Sequence, residues 1–410
     1  VFFLGLFSLF AIDLPKIICN FPPEISFKYK LKTNMIIATL KEILPGENRV
    51  ALTPSSVKDL TKAGLTVHIE SGSGIESNYS DKDYEDAGAF IASISDIYQN
   101  ADILVKVATP ILDEISQMKD GSIFTSFFQT TKELDAVKAL MDKKVTGFSM
   151  HLIPRTTLAQ KMDALSSQAN IAGYKAVLIG ANHIGVYMPL LMTAAGTIPP
   201  AKVLILGAGV AGLQAIATAK RLGAQVEAFD VRPEVKEQVE SLGAKFVEVE
   251  ASEDDGVGEG GYAKETSDDY KQRQQALITE KISKADLVVT TALIPGRPAP
   301  ILIPTDMVNG MKPGSVIMDL AAENGGNCEN TEPGKVVQYN GVTIDGTTNF
   351  PGTMPYHASQ LYSKNIVAFM TYMIKDGNIN LDLEDEIISG SMFTHQGTIT
   401  HEPTQQALNS

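Results

Sequence analysis

Cysteine, positive charge and unbroken hydrophobic runs are all scarce in this chain of 410 residues. With only two cysteines, Cys19 and Cys328, a disulfide framework is excluded and a reducing compartment is expected. The formal net charge of −14 argues against binding nucleic acid, which needs a basic face, and against a basic patch for anionic lipid. The six histidines lie far apart, and the lack of HxxxH and CxxC spacing predicts no metal site.

Two apolar stretches resemble membrane segments only superficially. Residues 1–34 begin with VFFLGLFSLFAIDL, which lacks a basic n-region and is too short to span a bilayer. Because Met35 opens a clean strand, we interpret 1–34 as a disordered or mis-called N-terminal extension, with a leader or anchor as the alternative. Residues 176–195 contain no Asp, Glu, Lys or Arg and could span about 30 Å. They include Asn182 and Pro189, so a helix buried in the core is favoured over membrane insertion.

Strand and helix patterns alternate along the chain, which predicts parallel sheets with helices on both faces. Strands such as MIIATL and ADILVKVA alternate with helices such as PSSVKDLTKAG, and the second half repeats the design from AKVLILGAG to VTIDG. The predicted fold class is α/β, with two Rossmann-like, doubly wound domains separated by a nucleotide-binding cleft. We assign the first domain to 35–165 plus 357–410 and the second to 166–356, with one long helix over 357–376.

The strongest motif is VLILGAGVAGLQAIATAKRLGAQVEAFDVR, residues 203–232. Gly207, Gly209 and Gly212 form GxGxxG between a strand and a helix, which permits a tight turn, a close approach of pyrophosphate and close helix packing. Asp230 stands 23 positions after Gly207, near the spacing of about 20 expected for an acid that bonds the ribose hydroxyls and repels a 2′-phosphate. NAD(H) is therefore favoured over NADP(H). Arg232 could meet a 2′-phosphate, stack on adenine or lie on the surface.

Two segments of the first half, KEILPGENRVALTP and ADILVKVATP, resemble the N-terminal half of alanine dehydrogenases. The resemblance implies that Arg49 and Lys106 are the residues that hold a substrate acid in that family. It also implies a histidine after the next strand, where this sequence has Phe128 within FTSFFQT. A reaction that moves a proton needs an acid–base group. We therefore expect no proton chemistry on an amino acid here, and structural roles for Arg49 and Lys106.

Four further segments are similar, in order, to the NAD(H)-binding first component, within the alpha subunit, of proton-translocating nicotinamide nucleotide transhydrogenase. They are PRTTLAQKMDALSSQANIAGYKAV, AFDVRPEVKEQVESLGAKFVEVE, GEGGYAKE and VIMDLAAENGGNCE, and the resemblance extends from Met35 to the C-terminus. It implies an oxidoreductase and translocase in which hydride passes directly between NAD(H) on this chain and NADP(H) on a partner component.

The same resemblance carries expectations about assembly. It implies a homodimer, partner subunits that bind NADP(H) and span the membrane, and a cytoplasmic chain held peripherally at the inner face of the bacterial inner membrane. Because the chain ends soon after SGSMFTHQGTITHEPTQQ with no membrane helices following, we expect the proton channel and the NADP(H) component to be other polypeptides.

The resemblance also assigns the nicotinamide end of the dinucleotide to Arg155, Gln160, Asp163 and Ser166. The last three recur at i, i+3 and i+6, so we expect them to share one helix face, with Asp163 orienting Arg155 as a charge-assisted pair. Contacts with the rest of the dinucleotide are expected from Gly207, Gly209, Val210, Ala211, Gly212, Asp230, Val231, Arg232, Gly261 and Leu293.

The acidic, glycine-rich segment EDDGVGEGGYAKET, residues 253–266, has no period. The resemblance implies a mobile loop over 252–270 that folds over bound nucleotide, with Tyr262 burying its ring there. A disordered surface loop is the alternative. Asp319 and Glu323 are expected to support the end of a strand near the ligand, and Cys328 to be a buried, unreactive thiol.

Two other functions stay open at this point. An alanine dehydrogenase-like enzyme would act alone, and a non-catalytic module would bind NAD without transferring hydride. Turnover of pyruvate or alanine would identify the first of these, and binding of NADH without any hydride transfer would identify the second.

Overall fold

The computed structural model describes residues 35–248, 268–294, 297–375 and 378–409. The expectation for 1–34 lies outside these residues, as do Gly261, Tyr262 and all but the last three residues of the segment 252–270. The described strands follow in chain order: β1 (Ile36–Thr39), β2 (Thr66–Glu70), β3 (Phe90–Ala92), β4 (Ile103–Val105), β5 (Ile123–Ser126), β6 (Thr146–Ser149), β7 (Leu191–Thr193), β8 (Gly196–Ile198), β9 (Lys202–Leu206), β10 (Gln225–Phe229), β11 (Lys245–Phe246), β12 (Leu287–Thr290), β13 (Val316–Asp319), β14 (Val336–Tyr339), β15 (Val342–Asp345), β16 (Ile374–Lys375), β17 (Asn378–Ile379), β18 (Met392–His395) and β19 (Thr398–Ile399).

The helices of the same residues fill the connections between strands. They are α1 (Pro54–Lys62), α2 (Asp81–Asp86), α3 (Ile94–Asn100), α4 (Leu112–Gln117), α5 (Leu134–Asp142), α6 (Ala164–His183), α7 (Val210–Arg221), α8 (Lys236–Ser241), α9 (Asp268–Lys284), α10 (Thr305–Asn309), α11 (Pro355–Met373), α12 (Glu386–Ser391) and α13 (Glu402–Asn409).

Two large sheets have the same internal strand order. The first runs β19-β18-β6-β5-β4-β1-β2-β3 and the second β11-β10-β9-β12-β13-β15-β14. In each, six parallel strands follow the doubly wound order 3-2-1-4-5-6, and antiparallel strands extend one edge. The predicted fold class is confirmed. The order reverses between β1 and β4 in the first sheet and between β9 and β12 in the second, and ligands of such sheets bind at the carboxyl ends of the strands at these switch points.

Apolar strands are covered on both faces, as parallel sheets require. β4, β5, β12 and β13 are buried along their whole length. The chain after the second sheet returns to the first, because α11 packs there: the rings of Phe369 and Phe148 lie 5.3 Å apart, and the Tyr362 hydroxyl donates to the Lys106 carbonyl at 2.9 Å. The strands β18 and β19 then extend the first sheet beyond β6.

The prediction of one buried helix over 176–195 is wrong in its second half. The helix α6 ends at His183, and the residues after Pro189 form the hairpin β7–β8. This hairpin is exposed, with 72% of Met192 accessible to solvent. Proline lacks the N–H that a continuing helix needs, so the apolar composition of the stretch is shared between a core helix and a surface hairpin. Among the described residues, no helix is both long and apolar enough to cross a membrane.

Candidate functional site

A cavity of about 640 Å³ lies where the carboxyl edges of the two sheets meet. One wall comes from the loops after β4, β5 and β6, and the other from the loops after β12, β13 and β15. One face of α6 lies along it, through Leu165, Gln168, Ala169 and Ala172. This volume is ordinary for a small-molecule or cofactor site.

The glycine turn at the switch point of the second sheet has the geometry of a phosphate cradle. Gly207 has φ +102, which L side chains rarely adopt. A Cβ on Gly212 would lie 1.9 Å from the Gly207 carbonyl oxygen, whereas a Cβ on Gly209 would meet nothing within 4 Å. Val210 and Ala211 open α7, whose first N–H groups have no partner within the helix. The turn is closely packed on its inner side and open on its outer side, which fits a pyrophosphate.

The neighbouring strand end braces this turn. The Thr291 hydroxyl donates to the Gly207 carbonyl at 3.0 Å. The Asn327 side chain fixes Ala292, accepting from its N–H at 3.0 Å and donating to its carbonyl at 2.9 Å. Leu293 follows and lines the cavity. Asp319, wholly buried, accepts hydrogen bonds from groups of Thr290, Ala321, Asn327, Cys328 and Thr331, so its carboxylate holds the end of β13 in shape.

Asp230 is already engaged by this chain's own donors. One carboxylate oxygen accepts from the Ala208 N–H at 2.7 Å, and Arg232 donates to both oxygens through Nε and Nη2 at 3.0 Å each. Burial raises the pKa of Asp230, but the hydrogen bonds from Arg232 and Ala208 outweigh it, and the pKa lies below its ordinary value. None of the three expected positions of Arg232 is the observed one: its guanidinium is a bidentate partner of Asp230. Val231, beside them, is exposed.

The expected nicotinamide group is built differently from the prediction. Gln160 lies in a 3-10 turn and Asp163 is the N-cap of α6, so the expected shared helix face does not exist. Asp163 accepts from the Ser166 N–H at 2.8 Å and from the Ser166 hydroxyl at 2.6 Å. This cap satisfies a first-turn donor. The expected Arg155–Asp163 pair is also absent from the described ion pairs, and Arg155 and Gln160 are exposed.

Arg49 and Lys106 are each bonded to carboxylates of this chain. Arg49 donates through Nε to one Glu47 oxygen at 2.7 Å and through Nη2 to the other at 2.5 Å, and through Nη1 to Gln168 at 2.9 Å. Lys106 Nζ lies 2.5 Å from Glu114 and 3.6 Å from Glu42. Since these side chains are buried, the paired carboxylates leave little positive field for a substrate acid.

The Glu42–Lys106–Glu114 cluster fixes the loop that forms one wall of the cavity. Glu42 accepts from the Val107 N–H at 2.6 Å, and Glu114 accepts from the Ile111 N–H at 2.9 Å. Burial raises the pKa of Glu42 to about 7, against the lowering effect of Lys106. Two carboxylates around one ammonium group therefore share the buried site with a proton close at hand.

Asn349 joins the two walls of the cavity. It has φ +50, and its N–H donates to Glu323 at 2.6 Å. Its side-chain oxygen accepts from Arg49 at 3.2 Å, and its side-chain nitrogen donates to the Gly46 carbonyl at 3.1 Å. Sequence analysis missed this residue because its role depends on contacts with positions some 300 residues away along the chain.

Phe128 and its neighbours show what replaces the histidine of the resemblance. Phe128 is buried against Phe393, with ring centroids 4.9 Å apart. Phe127 instead faces the cavity and stacks on His151, with centroids 4.0 Å apart. Burial, with a smaller effect of Lys132, lowers the pKa of His151 to about 4. The ring is therefore neutral near pH 7. Sequence analysis missed His151, although its place just after a strand end was a usable signal.

Cys328 and the metal question agree with the sequence. Burial raises the pKa of the Cys328 thiol to about 11, which disfavours the thiolate that reactivity requires. Within the described ranges, no group of three or more His, Cys, Asp or Glu side chains is arranged to hold a metal ion.

Comparison with known families matches nearly the whole described chain. The family description "Alanine dehydrogenase/PNT, N-terminal domain" matches residues 38–172, and "Alanine dehydrogenase/PNT, C-terminal domain" matches residues 176–402. Among solved structures, a transhydrogenase from Sinorhizobium meliloti is 44% identical with a TM-score of 0.79, covering 90% of this chain and 99% of that one. An L-alanine dehydrogenase has a TM-score of 0.77 at 29% identity, covering 92% and 99%.

Curated relatives narrow the position within the family. NAD(P) transhydrogenase subunit alpha from Haemophilus influenzae is 46% identical over 366 residues, which are 88% of this chain and 71% of that protein. The first of the separate alpha-subunit chains of NAD(P) transhydrogenase from Rhodospirillum rubrum is 46% identical over 376 residues, 90% and 98% of the two chains. Alanine dehydrogenase from Methanococcus maripaludis is 28% identical over 382 residues, 91% of this chain and 96% of that protein. The chain therefore belongs to the alanine dehydrogenase/PNT family and, within it, to the NAD(P) transhydrogenase alpha subunits.

Proposed function

We propose that this chain is the NAD(H)-binding component of a proton-translocating, Re/Si-specific nicotinamide nucleotide transhydrogenase, and that it exchanges hydride directly with NADP(H) on a partner component. The observation that carries the proposal is the contrast between the two switch points. The glycine turn of the second sheet is open on its outer side, whereas Arg49 and Lys106 of the first sheet are bonded to carboxylates. That arrangement suits a dinucleotide better than a small carboxylic acid.

The chemistry asks the protein for position rather than for proton transfer. When bound, the nicotinamide ring supplies or accepts the hydride. The first-turn N–H groups of α7 hold the pyrophosphate, and Leu293 provides an apolar surface at the cavity. Good positioning of two reactants supplies about 7–11 kcal/mol of a barrier. No proton moves with the hydride, so a neutral His151 is compatible with this reaction.

The nicotinamide end is assigned to the group around the start of α6. Ser166 donates its hydroxyl proton to Asp163, so its oxygen keeps its lone pairs for the N–H of a carboxamide. Gln160 and Arg155 are exposed beside it and are free to reach the ligand. We assign the closing of the site to Gly261 and Tyr262, which lie outside the described residues.

The adenosine end is assigned to the end of β10. The buried Asp230 and the exposed Val231 lie there, and the Arg232 guanidinium covers the carboxylate. A ribose hydroxyl would then compete with Arg232 for the carboxylate oxygens, which a 2′-phosphate could not do without like-charge repulsion. This supports NAD(H) rather than NADP(H) on this chain.

The assembly proposal follows from the proposed reaction. Hydride transfer between nucleotides on two polypeptides requires a partner that binds NADP(H), and coupling to protons requires membrane-spanning subunits that hold this chain at the inner face of the bacterial inner membrane. We also propose a homodimer. The exposed apolar side chains of the β7–β8 region support it, namely Val186, Tyr187, Leu190 and Met192, since such patches mark interfaces.

Reconstitution tests the proposed function. The purified chain is mixed with the NADP(H)-binding component of a transhydrogenase, and hydride transfer from NADH to an NADP⁺ analogue is followed by absorbance. We expect transfer in the mixture and none with either protein alone. Oxidation of NADH that depends on pyruvate and ammonia would favour an alanine dehydrogenase-like enzyme. NADH binding without transfer in the mixture would favour a non-catalytic NAD-sensing module.

A further inference from the structure

A second cavity, of about 420 Å³, lies at the amino edge of the second sheet. Five lysines from four separate elements line it, at the starts of β9 and β11 and in the last turns of α7 and α9: Lys202, Lys245, Lys220, Lys281 and Lys284. We call it the lysine cavity. The glycine turn lies at the opposite edge of the sheet, and a five-residue strand spans about 16 Å, so the two sites are distinct.

Carboxylates neutralise only some of this cluster. Lys281 pairs with Glu227 at 2.9 Å, and Lys284 pairs with Glu280 at 2.6 Å. The other three, Lys202, Lys220 and Lys245, have no carboxylate partner in the portion of the chain that the structure describes. The chain has 48 acidic and 34 basic residues, so a local excess of ammonium groups runs against its composition. The net charge alone predicted no basic patch.

Helix ends explain some of these lysines but not all of them. Lys220, Lys281 and Lys284 stand in last turns, where a cation interacts favourably with the helix dipole. Lys202 and Lys245 are the first residues of strands and gain nothing from a helix end. Their convergence on the same concave surface brings positive charges together at an electrostatic penalty. A bound anion would remove that penalty.

We propose that the lysine cavity binds a free, multiply charged phosphate compound. Its volume falls within the usual range of small-molecule sites, about 300–1,000 Å³. Ammonium groups on flexible stems recognise phosphate oxygens as point charges, and several around one concave surface favour an anion with more than one charge. The concave shape favours a free compound over the flat surface of a membrane, although a lipid headgroup presents the same chemistry.

Titration calorimetry with inorganic tripolyphosphate on the full chain tests this proposal. The variant Lys202→Gln/Lys245→Gln removes the two lysines that no helix end explains. The matched control, Lys58→Gln/Lys62→Gln, changes the net charge equally on the exposed face of α1. We expect affinity to fall about tenfold in the first variant and to stay within about twofold in the control. Both pairs are exposed, so the thermal transition should be unchanged in each variant.

Three results would overturn the proposal. Tripolyphosphate could fail to bind, or it could bind both variants as tightly as the unmodified chain, which would assign it to the glycine turn or to general electrostatics. Vesicles of phosphatidylglycerol and phosphatidylcholine form the second arm. Sedimentation with these vesicles that depends on Lys202 and Lys245, without tripolyphosphate binding, would assign the surface to lipid headgroups instead.

Discussion

The two sheets of this protein share one strand order but use their switch points in opposite ways. In the first sheet, the ends of β1 and β4 are occupied by the buried Glu42–Lys106–Glu114 cluster. In the second, the end of β9 is a glycine turn whose outer side is open. The same topology thus produces one strand edge closed by its own ion pairs and one edge left for a ligand.

The difference teaches where a doubly wound fold keeps its chemistry. Topology brings polar groups to both switch points, but only groups without internal partners can bind something else. A substrate acid at Lys106 would have to displace Glu114, which is 2.5 Å from the ammonium group. A pyrophosphate at the glycine turn has no such internal competitor.

The largest effect is expected when the closed switch point is broken. Lys106→Met leaves Glu42 and Glu114 buried without their cation, and removing one partner of a buried pair costs about 3–5 kcal/mol. We expect the free energy of unfolding, from urea denaturation, to fall by about 3 kcal/mol. The exposed control Lys62→Met should be neutral. Adding Glu114→Gln should restore some of the loss. A Lys106→Met protein of unchanged stability would mean that Lys106 is reserved for a ligand.

The second prediction separates packing from ligand space at the open switch point. Gly212→Ala places a Cβ 1.9 Å from the Gly207 carbonyl and should destabilise the protein by about 1–3 kcal/mol. Gly209→Ala meets no atom within 4 Å, so stability should change by less than about 0.5 kcal/mol. Its methyl group occupies the space of the pyrophosphate, and we expect NADH affinity, measured by fluorescence titration, to fall about tenfold. Normal NADH affinity in Gly209→Ala would contradict the proposed position of the phosphates.

The smallest effect concerns pH. The pKa of Glu42 is raised from 4.5 to about 7, so its contribution to stability is complete below pH 4.5 and is lost as the pH rises through 7. The pKa of His151 is lowered from 6.5 to about 4, so its contribution is present above pH 6.5 and is lost as the pH falls through 4. Denaturation at pH 5 and pH 8 should show opposite changes in pH dependence for Glu42→Gln and His151→Asn. Changes of the same sign would refute the assigned shifts.

Local sequence signals were sufficient for the fold class and for the glycine turn. The alternation of apolar strands and amphipathic helices predicted two doubly wound units, and GxGxxG predicted the turn between β9 and α7. Both are short-range patterns, set by the period of the backbone and by glycine's freedom at φ +102. The placement of 357–410 in the first domain and the roles at the nicotinamide end stay predictions.

Features that depend on distant contacts were not predicted. Spacing alone placed Gln160, Asp163 and Ser166 on one helix, but the strong capping bond from Asp163 starts α6 after the first of them. Arg232 was open to three interpretations because no local pattern says that it folds back on Asp230. The lysine cavity was hidden for the same reason, since four elements separated along the chain have to converge before the positive charges add up.

Asn349 gives the cleft a mechanical property. Its backbone and side chain hold Glu323 on one wall and Gly46 and Arg49 on the other, from a left-handed conformation that asparagine tolerates better than most residues. Widening the cleft would require all of these hydrogen bonds to break together. The residue therefore works as a stop that sets the resting gap between the two strand edges, so that the spacing is fixed by a backbone crossing before any ligand arrives.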